Sequence, residues 1–380
     1  MNIIPYGKQE ITQEDINEVV AVLKSDFLTQ GPKIEEFERA FASYIGCKYA
    51  VAVANGTAAL HLCTLALGVN EKSKVITTPI TFAASANCVR YCGGEVEFSD
   101  IDPATFLIDL KRIEELLDNA PKDTYHGIIP VDFAGAPVDL EKLQAIAKKH
   151  NLWIIEDACH APGGYFEDSK GRKINCGSCE YSDLAIFSFH PVKHIATGEG
   201  GMITTNRKDL YEKLLLLRTH GITKNPELMH ENHGGWYYEM QELGYNYRLS
   251  DMQAALGVSQ LKRAEVNLQK RRKLAERYNQ GFKNSKITIP VADKGHAYHL
   301  YVIQTDKRKE LYDFLKTRNI YCQVHYIPVH TLPYYKSIGW NKGDFPVAET
   351  YYEKCLSLPM YQGLSFEEQD RIIELVLDFI

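Results

Sequence analysis

Leu152-Trp153-Ile154-Ile155-Glu156-Asp157-Ala158-Cys159-His160 is the stretch on which the fold turns. Its first half is an unbroken apolar run, the mark of a strand buried on both faces. The helical pattern from Leu140 to His150 feeds straight into it. A helix delivering a buried strand is the repeating unit of an α/β protein with a mainly parallel sheet. Outward from this point the unit recurs. On the N-terminal side, strands are expected at Tyr49–Ala54, Val75–Thr78, Glu95–Ser99 and Gly127–Val131. Between them lie helices from Asn55 to Gly68 and from Phe82 to Tyr91. On the C-terminal side, Leu184–Phe189 and Gly201–Thr205 read as strands, the former with the same continuous apolar run.

Before the sheet, Thr12 and Asp15 form a capping box for a helix whose Ile16, Val19, Val20 and Leu23 recur at helical spacing. A second helix, Ile34 to Ile45, stops at Gly46. Near residue 250 the style changes. One long charged helix is expected from Ser250 to Phe282, then a strand at Leu300–Gln304, a helix at Glu310–Arg318 and a final helix at Phe366–Phe379. The expected division is therefore 1–250 as a large domain with its N-terminal arm, and 251–380 as a small domain.

The chain has 380 residues, 45% hydrophobic and 24% charged, which suits about two globular domains. Lys+Arg total 43 against Asp+Glu 49, a net charge of −6, which argues against a general nucleic-acid or membrane-surface binder. The most apolar window, Val51 to Val69, is broken by Asn55, Gly56, Thr57, His61 and Thr64, so no membrane span is expected. Nine cysteines without a regular framework read as reduced thiols, and a cytoplasmic location is expected. Cys176-Gly177-Ser178-Cys179 lacks a second ligand pair at motif spacing and reads as a hairpin turn rather than a metal site. His230-Glu231-Asn232-His233 is one residue short of zinc-protease spacing and reads as a solvated loop. No P-loop and no dinucleotide fingerprint occurs.

Three segments could carry chemistry. Asp157 follows a buried strand, where open α/β sheets bind ligands, and a carboxylate there can hold a ring nitrogen protonated. Taken alone, such an aspartate is more often a turn or helix cap. Ser188 to Gly201 places Lys193 among glycines that bring backbone close to a ligand, and a lysine of lowered basicity can form a Schiff base. Asn55-Gly56-Thr57 is a strand–turn–helix whose amides and hydroxyl can cradle phosphate. Together they supply what pyridoxal 5′-phosphate needs: a phosphate seat, an aspartate for the ring nitrogen and a lysine for the aldehyde carbon.

In order and spacing these segments resemble the DegT/StrS group of sugar-nucleotide aminotransferases. The likeness runs from Leu28-Thr29-Gln30-Gly31-Pro32 to Leu358-Pro359. It implies the fold-type I aminotransferase architecture, a large domain with a seven-stranded sheet and a smaller C-terminal α+β domain. It implies Lys193 as the Schiff-base and proton-transfer residue, and Asp157 at the pyridine nitrogen. Gly56, Thr57 and Ser188 would hold the phosphate, Phe82 would lie on the ring face, and His160 near the cofactor hydroxyl. Asn246, in Gly244-Tyr245-Asn246-Tyr247-Arg248, would reach the cofactor of a second subunit, which implies a homodimer with shared sites.

Subfamily features narrow the implied substrate. They are Trp236 to Leu243, Tyr6, the segment Asp26-Phe27-Leu28-Thr29 and Gln323-Val324-His325-Tyr326. They imply a UDP-linked 4-keto-6-deoxy-N-acetylhexosamine as amino acceptor and L-glutamate as donor, in pseudaminic acid synthesis for flagellin and other surface glycans. Perosamine- or bacillosamine-type ketosugars are the alternative substrates. A dehydratase of this group would carry histidine in place of Lys193. A non-enzymatic pyridoxal-phosphate-binding regulator is the alternative of another class.

Overall fold

The computed structural model describes residues 3–380. Helix α1 (Gln13–Leu23) starts at Thr12, where the Thr12 and Asp15 side chains and amides bond reciprocally. Helix α2 (Pro32–Ile45) ends at a left-handed Gly46. Its N-terminus is capped from a distance, because Gly31 has no side chain. Asp251 accepts from the Gly31 amide at 2.8 Å and the Lys33 amide at 3.0 Å. Gly31 is required there, since a Cβ would lie 2.5 Å from that of Phe27.

The alternation then runs β1 (Tyr49–Val53), α3 (Gly56–Ala66), β2 (Lys74–Thr77), α4 (Ala84–Tyr91), β3 (Glu95–Phe98), α5 (Leu110–Asn119), β4 (Gly127–Ile129), α6 (Leu140–Lys149) and β5 (Trp153–Asp157). A hairpin, β6 (Tyr165–Glu167) and β7 (Lys173–Asn175), precedes β8 (Leu184–Ser188), β9 (Gly201–Thr205) and α7 (Lys208–Arg218). Seven of these strands form one sheet in the order β1-β9-β8-β5-β4-β2-β3. All neighbours are parallel except those of β9, which runs antiparallel to β1 and β8. The strands are buried as their apolar runs require, with Ile155, Leu184, Ile186 and Val53 at 0% exposure. Because β5 and β8 are parallel neighbours, Asp157 and Ser188 emerge at the same sheet edge.

After a short pairing of β10 (Ile222–Thr223) with β11 (Glu239–Met240), the expected single helix is two: α8 (Asp251–Leu261) and α9 (Ala264–Phe282). No proline or glycine marks the break. Tertiary contacts make it: Arg263, at the junction, pairs with the fully buried Asp15 of α1 at 2.6 Å, and Gln260 donates to the same carboxylate. Helix α8 packs on α1 and α2, so it belongs with the sheet, while α9 lines a second core. That core holds Tyr278, Tyr301, Leu311 and Ile372, and is built on β12 (Tyr301–Gln304), α10 (Arg308–Thr317), β13 (Cys355–Leu358) and α13 (Phe366–Phe379). Helices α11 (Pro333–Ser337) and α12 (Pro346–Lys354) lie between α10 and β13 and pack into the sheet's core through Tyr335 and Tyr351.

Two further sequence readings need restating. The face of α1 that carries Ile16, Val20 and Leu23 is exposed in the single chain. Cys176 to Cys179 is a turn, but it follows the β6–β7 hairpin rather than forming it. All nine cysteines are free thiols. Among the described residues, no helix is long and apolar enough to cross a membrane.

Candidate active site

Helix α3 begins where β1 ends, and its first turn is an anion seat by construction. The Asn55 side chain takes the Ala58 amide at 2.8 Å and its carbonyl takes the Ala59 amide. The Gly56 and Thr57 amides have no acceptor inside the helix. They open, beside Ser188, onto a cavity of about 470 Å³. Two glycines make the fit. A Cβ on Gly56 would sit 3.0 Å from that of Ser188, and one on Gly201 would sit 2.6 Å from the Asn55 carbonyl. Gly200 packs against Thr197 and Phe189, whereas Gly198 provides a left-handed turn with open space around it.

Asp157 enters the cavity from the end of β5, and Lys193 from the loop between β8 and β9. Both Asp157 oxygens are held. Ser85 donates to Oδ2 at 2.7 Å, and the Cys159 amide donates to Oδ1 at 3.2 Å. Burial lowers the basicity of Lys193, opposed in part by Cys159 and Asp157. A lowered value raises the fraction of free amine, the nucleophilic form.

His160 is 4% exposed, and burial holds its imidazole well below the ordinary value. Its Nδ1 accepts from the Ala134 amide at 3.2 Å, so Nε2 carries the ring proton and faces the Tyr326 hydroxyl at 3.2 Å. His299 lies against its ring, with centroids 4.3 Å apart. On the far wall, His325 is held by Ser357 at 2.8 Å, and Tyr6 is tied to the second core through the Met360 amide at 2.9 Å.

Ten expected residues therefore converge on one cavity: Gly56, Thr57, Phe82, Asp157, His160, Ser188, Lys193, Tyr6, His325 and Tyr326. Seven stand outside its lining. Asp26, Phe27, Leu28 and Thr29 are exposed near the start of α2. Asn246 is exposed and bridges Thr219. Gln323 is exposed and pairs with Ser357, while Val324 packs between the two cores. The sequence reading passed over Ser85, Thr81 and His299. Thr81 lies in the turn before α4 and Ser85 in its first turn, so no helical spacing marked the pair in sequence.

Behind the cavity, on the other side of the sheet, Glu156 meets Asp132 and Cys176, their ligand atoms within 4.8 Å of one another. All three are 1% exposed. Burial drives the Asp132 and Glu156 carboxyls up; Asp132 raises Glu156 further, whereas the hydrogen bond between them lowers Asp132, so the pair holds a proton with Glu156 as its donor.

The residues present fit pyridoxal phosphate. The free helix-start amides beside Ser188 suit a phosphate, the doubly held carboxylate suits a pyridinium, and the amine of lowered basicity suits an aldehyde. The comparisons agree. The model of the DegT/DnrJ/EryC1/StrS aminotransferase family matches residues 9–377. The spore coat polysaccharide biosynthesis protein SpsC of Bacillus subtilis is 40% identical, over 100% of this chain and 97% of that protein. The UDP-4-amino-4,6-dideoxy-N-acetyl-β-L-altrosamine transaminase of Campylobacter jejuni is 40% identical, over 96% of this chain and 94% of its own. Helicobacter pylori PseC, an aminotransferase involved in the biosynthesis of pseudoaminic acid, superposes with a TM-score of 0.88 at 32% identity, covering 99% of each chain. Structures of this fold have been solved in PLP and PMP forms.

Proposed function

The chain belongs to the DegT/DnrJ/EryC1/StrS aminotransferase family, and from that premise we propose which amino group it moves, and to what. It is a pyridoxal-phosphate-dependent sugar aminotransferase. The proposed reaction carries the amino group of L-glutamate to C4 of a UDP-linked 4-keto-6-deoxy-N-acetylhexosamine. The product is UDP-4-amino-4,6-dideoxy-N-acetyl-β-L-altrosamine, on the way to pseudaminic acid. The observation that carries this reading is the 40% identity, nearly end to end, to the Campylobacter transaminase. The placing of Tyr6, His325 and Tyr326 on the cavity wall supports it.

Pyridoxal phosphate supplies an electron sink that lets the carbon bearing an amino group lose a proton. The chain's own residues do the rest. The Lys193 Nζ takes that proton from the donor's α-carbon and returns one to the acceptor's C4. Asp157, held by Ser85 and the Cys159 amide, would face the ring nitrogen. Gly56, Thr57 and Ser188 would hold the phosphate, Phe82 would lie on the ring face, and His160, paired with Tyr326, would stand near the ring hydroxyl. Tyr6, residues 26–29 and 323–326 meet the sugar nucleotide. Residues 1–250, with α8 packed onto them, act as the cofactor domain, and the second core within 251–380 closes over the sugar.

Two copies share their sites, with Asn246 reaching the neighbour's cofactor. Exposed apolar side chains on and near α1, among them Ile16, Val20, Leu23, Phe27 and Leu28, suit such an interface. Sedimentation of a monomer at micromolar concentration would remove the shared site. The expected location is cytoplasmic, with no nucleic-acid or membrane partner.

Steady-state rates with purified nucleotide ketosugars test the substrate, with NMR of the new C4 centre. Faster amination of a perosamine- or bacillosamine-type ketosugar would overturn the choice. That second reading has its own support, the equal identity to SpsC. Adding glutamate to the loaded protein tests the regulator reading: conversion of its absorbance to that of pyridoxamine phosphate excludes it.

A further inference from the structure

Ser85 has a single hydroxyl proton and three oxygens near it, the most distant being the Phe82 carbonyl at 3.4 Å. Its Oγ lies 2.7 Å from Asp157 Oδ2 and 2.8 Å from Thr81 Oγ1. The Asp157 carboxylate and the Phe82 carbonyl only accept, and Asp157 is much the nearer, so the Ser85 proton goes to Asp157 and Thr81 donates to Ser85. The result is a directed chain, Thr81 to Ser85 to Asp157, ending in a short bond to a charged acceptor. Burial makes it count, because Thr81, Ser85 and Asp157 are 2%, 1% and 5% exposed. Little of these groups is open to water, and each bond strengthens the next.

The chain has a second consequence. Thr81 and Ser85 bracket Phe82, whose ring is 64% exposed and lines the cavity. The loop that carries Phe82 is thus tied to the end of β5. One hydroxyl connects the group facing the ring with the group facing the ring nitrogen.

We propose that Ser85, backed by Thr81, is a positioning residue that holds Asp157 oriented as an acceptor for the ring nitrogen and sets the Phe82 loop against it. The proposal rests on the reading of Asp157 and Lys193 given above. Donation to Oδ2 stabilises the ionised carboxylate. The proton between Asp157 and a bound ring nitrogen therefore stays on the nitrogen, where it supports the electron sink. Without it, the ring loses positive character, and the nitrogen joining Lys193 to the cofactor becomes more basic.

The test compares wild type, Ser85→Ala, Ser85→Thr and Thr81→Val, each loaded with pyridoxal phosphate. The first readout is the pH midpoint of the absorbance change of the lysine-bound cofactor. The others are cofactor retention on dialysis and the split between kcat and KM for glutamate. Lys193, Cys159, Tyr326, Asp132 and Cys88 also face Asp157, and neither position alters them.

Ser85→Ala is expected to raise the midpoint by about one pH unit and lower kcat about tenfold with KM little changed, the size of a lost hydrogen bond to a charged group. Ser85→Thr, which keeps the hydroxyl, restores both, and Thr81→Val gives a smaller shift in the same direction. An unchanged midpoint in Ser85→Ala overturns the proposal alone. If Ser85→Ala fails to fold, an unchanged midpoint in Thr81→Val does so. Wild type that forms no lysine-bound cofactor, seen by mass spectrometry after borohydride reduction, overturns the reading beneath it, which distinguishes the two failures.

Discussion

The two walls of the cavity are built to different standards. The sheet-side wall comes from strand ends and helix starts. There Asp157 has a donor on each oxygen, Asn55 caps its helix, and Gly201 brings β9 against the Asn55 carbonyl. The opposite wall is Tyr6, His325 and Tyr326, set on irregular chain and steadied from the second core. Gln323 beside it is exposed, and so are Asp26, Phe27, Leu28 and Thr29, which lie near the start of α2 rather than on this wall. Groups that must keep one geometry sit on elements that cannot move independently. The groups proposed to select the substrate sit on segments that can vary without disturbing the sheet.

This contrast can be broken by mutation, and the largest effect belongs to the sheet side. Lys193→Ala should retain pyridoxal phosphate without covalent attachment and lose at least about 10³-fold in transamination, because it removes both nucleophile and proton carrier. Single-turnover absorbance with glutamate reads it, and full activity would sink the mechanism. Asp157→Asn should cost about 10²-fold in kcat with KM for the sugar nucleotide nearly unchanged. A change confined to KM would place Asp157 among the substrate-selecting groups instead.

Stability separates the walls next. Burial pushes the Asp132 carboxyl up to about 7, so the folded state keeps a proton that the unfolded state loses near the ordinary carboxylate value of about 4. The stabilisation is complete below that value and is lost as pH rises toward about 7, at no more than about 1.4 kcal/mol per pH unit. Asp132→Asn, which mimics the protonated form, should flatten that slope in thermal melts. A steeper slope in the variant would show that the pair does not share a proton.

The smallest effect belongs to the far wall. Tyr6→Phe should raise KM for the sugar nucleotide by about three- to tenfold, with cofactor retention and the glutamate half-reaction unchanged, the size of one hydrogen bond. Loss of cofactor from that variant would erase the division between the walls.

Much of the sheet side was legible in sequence for a physical reason. Asn55-Gly56-Thr57, Asp157, Ser188 and Lys193 each adjoin an element with a strong local signal, a buried apolar run or a helix start. Their positions at one sheet edge follow from parallel pairing. Ser85 escaped notice because its partner is 72 residues away, and a serine in a first turn carries no mark of that contact. The helix break at Arg263 escaped for the same reason, since it is made by Asp15 on another helix.

The sequence by itself determined the alternation of strands and helices, the reduced thiols and the set of residues able to hold a phosphate, a ring nitrogen and an aldehyde. Those properties are local, written in periodicity, capping and side-chain chemistry. Only the tertiary structure decided which of those residues share a cavity, which hydroxyl orients Asp157 and why Glu156 needs a proton. Each of these depends on distances between segments far apart in the chain and on the removal of water around them.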